Sequence, residues 1–225
     1  MLSVGRIFSR LIVSCLLVGV TGGLALTWAT WDFELIMRKA ELRYGNLGPV
    51  AVRLLEWRDL LGSDLRMPEL EKLRMVNLYF NRRLRFSDDS RIWGQRDYWA
   101  TPVEALVKGA ADCEDYALAK YFSLRQLGVP ASKLRITYVK ALRLNQAHMV
   151  LTYYPSPKAA PLVLDNLINE IRPAWERNDL LPVYAFNAEG VYLVKQQGLE
   201  RTSDAKRLSR WQDLLRKMQG EGFSF

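Results

Sequence analysis

The stretch DCEDYALAKYFSLRQLGVP (residues 112–130), followed by LRITYV (residues 134–139), decides the fold. Its first half has the spacing of a buried or half-buried helix from Asp112 to about Leu127, with Ala117, Leu118, Phe122 and Leu124 among its apolar positions. Gly128-Val129-Pro130 then ends it, because proline cannot continue a helix. Immediately afterwards the apolar period changes to two. Residues 134–139, 147–154, 161–164, 183–186 and 191–194 read as strands, the last two forming a hairpin around Asn187-Ala188-Glu189-Gly190.

Upstream of residue 112 the pattern is helical. Residues 34–61 carry Leu54, Leu55, Trp57 and Leu61 among charges, and Gly45 to Pro49 divides them into two helices. Pro68 opens a third, through Leu70, Leu73, Val76, Leu78 and Phe80. Asp88 to Trp99 has no clear period and reads as an ordered loop, after which Pro102 opens a short helix ending near Gly109. Helices first and strands later predict an α+β fold with an antiparallel sheet. A last helix over residues 203–218 presents Leu208, Trp211, Leu215 and Met218 on one side. Its Lys206, Arg207, Arg210, Arg216 and Lys217 suit a membrane or an acidic partner, although packing of the apolar stripe on the domain is the commoner use.

The first 29 residues stand apart. Arg6 and Arg10 precede an uncharged apolar run from Leu11 to Ala29, the pattern of a signal peptide or, uncleaved, a membrane anchor. Residues 30–225 then form one domain, expected to be exported or held at the membrane by the anchor. Without Arg6 and Arg10 the net charge of +8 falls to +6. Behind an export signal that basicity predicts no nucleic-acid partner, only a generally basic surface.

Of two cysteines, Cys15 lies in the export segment, so the mature chain keeps one thiol, Cys113. A lone cysteine is more often buried and inert. At a helix start, however, the dipole favours thiolate. Asp112, Glu114 and Asp115 oppose this, since nearby negative charge raises a thiol pKa, so the metal-free site should hold a poorly activated thiol. Oxygen ligands at that density suit a hard cation such as calcium. The alternative, favoured by spacing alone, is that Asp112 caps the helix while Glu114 and Asp115 complement its dipole.

The one histidine, His148, lies on an alternating stretch. If its strand pairs with that of Asp165 around a turn centred between Ser156 and Pro157, the two residues are directly opposite. Their Cβ atoms would then be roughly 4.5–5.5 Å apart, close enough for the carboxylate to orient the imidazole. A slip of one residue would send them to opposite faces.

Four runs carry a resemblance: Asp97-Tyr98-Trp99-Ala100-Thr101-Pro102, Gly109 through Tyr116, Leu142 through Leu151, and Leu162 through Asn166. Together they resemble the bacterial transglutaminase-like cysteine proteases, closest to the periplasmic LapG group. Ala111 stands where glycine would be expected. The resemblance implies a papain/transglutaminase-like fold and a Cys113, His148, Asp165 triad. It also implies calcium dependence, with Asp112, Glu114 and Asp115 as the carboxylates concerned. The implied substrate is the N-terminal region of a large surface adhesin, cut near paired alanines to release it and promote biofilm dispersal. The implied partner is an inner-membrane receptor that senses cyclic di-GMP and sequesters the protease. Transglutaminase or deamidase chemistry through the same triad is the alternative, and a non-catalytic receptor-binding module the third reading. The Cys113 N–H is expected to form half of an oxyanion hole, with Trp93, Gln95 and Asn77 as candidates for the other donor.

Overall fold

The computed structural model describes residues 31–195 and 198–225; the stretch expected to be a signal peptide or anchor lies outside them. Asp32 caps the first helix, α1 (Phe33–Tyr44), by accepting the Leu35 N–H at 3.0 Å. Gly45, at φ 77°, ends it where a side chain would be strained. Helix α2 (Val50–Leu61) follows, then α3 (Glu69–Arg83) after Pro68. The stretch expected to be a loop contains one further turn of helix, α4 (Asp89–Ile92), and α5 (Pro102–Lys108) begins in a capping box between Thr101 and Glu104. Helix α6 (Cys113–Gln126) is capped by Asp112, and α7 (Ser209–Gly220) ends the chain.

A two-residue parallel ribbon, β1 (Arg85–Phe86) with β2 (Ala110–Ala111), was invisible to periodicity because so short an element has no period. It matters greatly for the site. Ser87 N–H donates to the Ala111 carbonyl at 3.0 Å, so the chain entering α4 runs beside the chain entering α6. Two helix starts are thereby brought together.

Seven strands form one antiparallel sheet: β3 (Leu134–Ala141), β4 (Gln146–Tyr153), β5 (Leu162–Leu164), β6 (Arg172–Pro173), β7 (Leu180–Phe186), β8 (Val191–Lys195) and β9 (Gly198–Ser203). Their order is β6-β5-β4-β3-β7-β8-β9. The fold is therefore α+β and transglutaminase-like, as expected, with β7 and β8 the anticipated hairpin and β6 and β9 additional. Helix α6 crosses β4 and β3 with nearly its whole circumference buried. Trp57 donates its indole N–H to Ser123 at 2.9 Å, and the Tyr116 hydroxyl donates to the Leu84 carbonyl at 2.7 Å, fixing α6 against α2 and the end of α3.

Helix α7 packs its stripe on the domain. Trp211, Leu214 and Met218 are buried, and the Trp211 ring stacks on Phe122 at 5.4 Å. Fully buried Glu104 pins this arrangement, meeting Arg43 of α1 at 2.7 Å and Lys217 of α7 at 2.9 Å. Among the described residues no helix is long and apolar enough to cross a membrane.

One expectation fails in detail. The β4–β5 register pairs Leu151 with Leu164 and Tyr153 with Leu162, so the residue in line with Asp165 is Val150, not His148. The turn is centred between Pro157 and Lys158, one residue later than expected, and closes with Ala159 N–H donating to the Ser156 carbonyl at 3.1 Å. Moving the centre by one moves the register by two. Because side chains alternate with period two, an even shift keeps both residues on one face.

Candidate active site

Cys113 is the first residue of α6 and half-buried. Its thiol donates to Glu114 Oε2 at 3.1 Å, while the Met149 backbone N–H bonds to the sulfur. That contact sets the sulfur one residue along β4 from His148. Burial pushes the thiol well above its ordinary pKa, and the charges of Glu114 and Asp112 push it further. The helix dipole's partial charge is outweighed by full charges at closer range.

His148 is buried, and its Nε2 lies 2.8 Å from Asp165 Oδ1. An ionised carboxylate only accepts, so Nε2 carries the proton and Nδ1 is left as the basic nitrogen. Asp165 sits just past the end of β5. Burial alone would raise its pKa, but the bonds and charges of His148 and Arg177, with the Leu167 N–H, hold it at about 2. Arg177 is the residue sequence reasoning missed here. Its Nη2 donates to Asp165 Oδ2 at 2.7 Å and to Asp179 at 2.9 Å. Asn81 of α3 adds a bond to the Asp165 backbone carbonyl at 2.8 Å. Nothing local in Pro173-Ala174-Trp175-Glu176-Arg177 marks an arginine destined to be buried beside a residue twelve positions earlier.

Lys120, two turns along α6 from Cys113, is also buried, with no hydrogen-bond partner for Nζ among the described residues and the Tyr116 ring 5.6 Å away. Burial lowers its pKa to about 7 against the opposing pull of Asp165.

The carboxylates expected around Cys113 divide. Asp112, Glu114 and a residue not foreseen, Asp89, offer oxygens that all lie within 4.8 Å of one another. Asp89 is the first residue of α4, delivered by the β1–β2 ribbon. Asp115 lies outside this triplet. It is fully buried, and its Oδ1 accepts the Ala100 N–H at 2.6 Å, which anchors the approach to α5. Asp112 also caps α6, with a long contact of 3.5 Å to the Asp115 N–H.

The triplet fits a hard divalent cation. Its donors are all oxygen. Asp89 Oδ2 accepts the Tyr98 N–H, but its buried Oδ1 has no hydrogen-bond partner among the described residues. Burial first, then mutual repulsion with Asp115, Glu114 and Asp89, pushes Asp112 up to about 10; burial raises Asp89 to about 6. Such groups need either protons or a cation.

Asn77, a candidate second oxyanion donor, is committed elsewhere: its side-chain amide donates to the Asn169 carbonyl at 2.9 Å.

The chain matches known proteins in both sequence and structure. Residues 61–185 match the sequence profile described as bacterial transglutaminase-like cysteine proteinase. The solved structure of Legionella pneumophila LapG is 42% identical, with 81% of this chain and 97% of that chain covered and a TM-score of 0.70. The EGTA-treated form of the same protein matches with 42% identity, the same coverage and a TM-score of 0.72. Its calcium-bound form matches with 41% identity, 83% and 98% coverage and a TM-score of 0.70. No curated protein gives a match. By profile and structure alike, the chain belongs to the bacterial transglutaminase-like cysteine proteinases and is a LapG-like cysteine peptidase.

Proposed function

We propose that this protein is a calcium-dependent cysteine endopeptidase that works through Cys113, His148 and Asp165. The observation that carries the reading is the His148 Nε2–Asp165 Oδ1 contact of 2.8 Å, which leaves Nδ1 free for the thiol beside Met149. In the reaction, Nδ1 takes the Cys113 proton and the thiolate attacks the scissile carbonyl. The Cys113 backbone N–H, at the start of α6, donates to the developing oxyanion. As the C–N bond breaks, the imidazolium returns its proton to the leaving amine, and a thioester remains. His148 then deprotonates water, which hydrolyses the thioester and restores the thiol. Asp165, clamped by Arg177, holds the imidazole in the required tautomer throughout.

Asp89, Asp112 and Glu114 would hold calcium, which, bound beside the sulfur, supplies the positive charge that favours thiolate over thiol. The calcium-bound and EGTA-treated forms of the Legionella protein support this choice of metal.

The further parts of the proposal rest on the LapG likeness. The substrate is the N-terminal region of a large surface adhesin, whose release promotes biofilm dispersal. The export segment takes the enzyme to the periplasm. An inner-membrane receptor for cyclic di-GMP sequesters it there.

The test is incubation of an adhesin N-terminal fragment with the enzyme in calcium or in EGTA, read by intact-mass spectrometry. New chain termini in calcium, and none in EGTA or with Cys113→Ala, are expected. A mass change without new termini would mean deamidation or cross-linking instead, and the protease reading would be lost.

A further inference from the structure

The sheet has two faces, and among the described residues only one is covered by helices. By alternation Leu134, Ile136, Leu151 and Tyr153 point to the main core, while Arg135, Thr137, Val139, Val150 and Thr152 point the other way. On that second face lies a cavity of about 1020 Å³ to which none of α1–α7 contributes a wall. Its lining comes from Val163 of β5, Val150 of β4, Thr137 of β3, Pro182 of β7, Val194 of β8 and Leu199 of β9. These are six neighbouring strands in the sheet order. Five inter-strand steps at ~4.8 Å make a trough roughly 24 Å long, the span of about seven residues of extended chain. A small metabolite would fill only part of it.

The floor is apolar, and the charge is of one sign. Lys133, Arg135, Lys158, Arg177, Lys195 and Arg201 contribute to the lining, and no aspartate or glutamate does among the described residues. Lys133, Arg177 and Lys195 are paired with carboxylates that lie outside the trough. Arg135, Lys158 and Arg201 form no ion pair among the described residues. Arg135 is the most preorganised of these. Its guanidinium lies between two rings, 4.6 Å from the centroid of Tyr154 and 4.7 Å from that of Tyr192, so its place is fixed without any carboxylate. Its Nη1 also donates to the Ser132 carbonyl at 3.1 Å, and a guanidinium so fixed, with no carboxylate partner among the described residues, is built to receive an anion carried on an apolar scaffold.

We propose that this trough docks an extended peptide segment of a partner protein in which acidic and apolar side chains alternate, with a carboxylate seated on Arg135. A strand-like segment suits it because alternate side chains face opposite ways, one set to the valine floor and the other to the basic rim. By the same alternation His148, paired with Val139, lies on this face, and Arg177 lines the trough while clamping Asp165, so the trough adjoins the His148–Asp165 pair; Cys113 contributes nothing to its lining.

The test uses fluorescence polarisation with blocked, labelled ten-residue peptides on the full chain. The probes are alternating Glu-Leu, alternating Lys-Leu and alternating Glu-Ser. Glu-Leu is expected to bind, weakening with added salt, while Lys-Leu does not and Glu-Ser binds at least tenfold more weakly. Arg135→Glu should weaken Glu-Leu binding at least tenfold, and Cys113→Ala should leave it unchanged. Should Arg135→Glu fail to fold, the double variant Lys158→Glu/Arg201→Glu at the rim decides, with the same expectation. Lys206→Glu, a charge reversal outside the trough, should change little. Equal weakening by Lys206→Glu would mean attraction to general basicity and would overturn the proposal. So would equal binding of Glu-Leu and Lys-Leu, or unchanged binding in the rim variant. Binding of phosphatidylglycerol vesicles with no binding of Glu-Leu would assign the face to a lipid surface and also overturn it.

Discussion

Cys113 at the start of α6 and His148 on β4 belong to two elements that treat their carboxylates in opposite ways. On the sheet side, Asp165 is buried but answered by His148, Arg177 and the Leu167 N–H, and its pKa falls to about 2. On the helix side, Asp112 is also buried, but its neighbours are Asp115, Glu114 and Asp89, and its pKa rises to about 10. The sheet side is a finished preorganised pair. The helix side lacks a counter-charge. Burial is common to both, so burial alone decides neither; what differs is the sign of the nearest partner.

The largest effect should come from breaking either side at the reacting atoms. Cys113→Ala and His148→Ala should each reduce peptide cleavage by about 10⁴-fold or more, and the double variant should be no worse than either alone, as expected of groups that act as a unit. Single-turnover rates on a defined peptide check this. If the double variant multiplied the two losses, the sides would act independently and the proposed triad would be wrong.

Arg177→Gln attacks the compensation on the sheet side. It leaves Asp165 with one fewer counter-charge, and breaking such a buried pair costs about 3–5 kcal/mol. Differential scanning calorimetry should show a melting point lowered by roughly 10 °C, at 2–4 °C per kcal/mol for a domain of this size. An unchanged melting point would remove Arg177 from the account.

On the helix side, Asp89→Asn keeps an acceptor for the Tyr98 N–H but removes a charge from the cation triplet. Calcium affinity by isothermal titration should fall by about two orders of magnitude, roughly 2.7 kcal/mol. Asp115→Asn should leave affinity much closer to the parent, since its carboxylate lies outside the triplet and its Oδ1 already accepts the Ala100 N–H. The reverse ranking would restore Asp115 as the ligand.

The smallest effect sharpens the contrast through pH. Asp165 has a folded pKa of about 2, below its unfolded value near 3.9, so the unfolded chain binds more protons in that window. Stability from this group is therefore full above pH ~4 and is lost as pH falls towards 2, by about 2.5 kcal/mol. Asp89 runs the other way. Its folded pKa of about 6 lies above the unfolded one, so in EGTA stability should decline as pH rises from ~4 to ~6. Added calcium should abolish that decline and leave the acid limb of Asp165 in place. Melting curves at pH 2–7 with and without calcium separate the two.

Much of this arrangement was legible in the chain. Helix α6, with Asp112 as its cap and the stop at Gly128, followed from local spacing, and so did the change to period-two strands. The pairing of His148 with Asp165 was anticipated from hairpin symmetry, although the register was wrong by two. Prolines at 155, 157 and 161 let the turn settle one residue later, and sequence offers no rule for which of several tight turns such a run will choose. Asp89 and Arg177 were not legible. Each enters through a contact between distant segments, the first along the β1–β2 ribbon and the second where the chain returns from β6, and periodicity speaks only of neighbours.

The β1–β2 ribbon also sets a rule about chain length. Phe86 is paired with Ala111, so Asp89 and Cys113 are each counted off from the same rung of one short ladder. A residue inserted between Phe86 and Asp89 would turn the Asp89 side chain by about 100° around its helix axis and carry it out of the cluster, with both helices still intact. The loop between Trp93 and Trp99 is tied to the same acid from its far end, where the Tyr98 N–H donates to Asp89 Oδ2. In this fold the length of the two-residue connection Ser87-Asp88 is as much a constraint as the identity of the acid at its end.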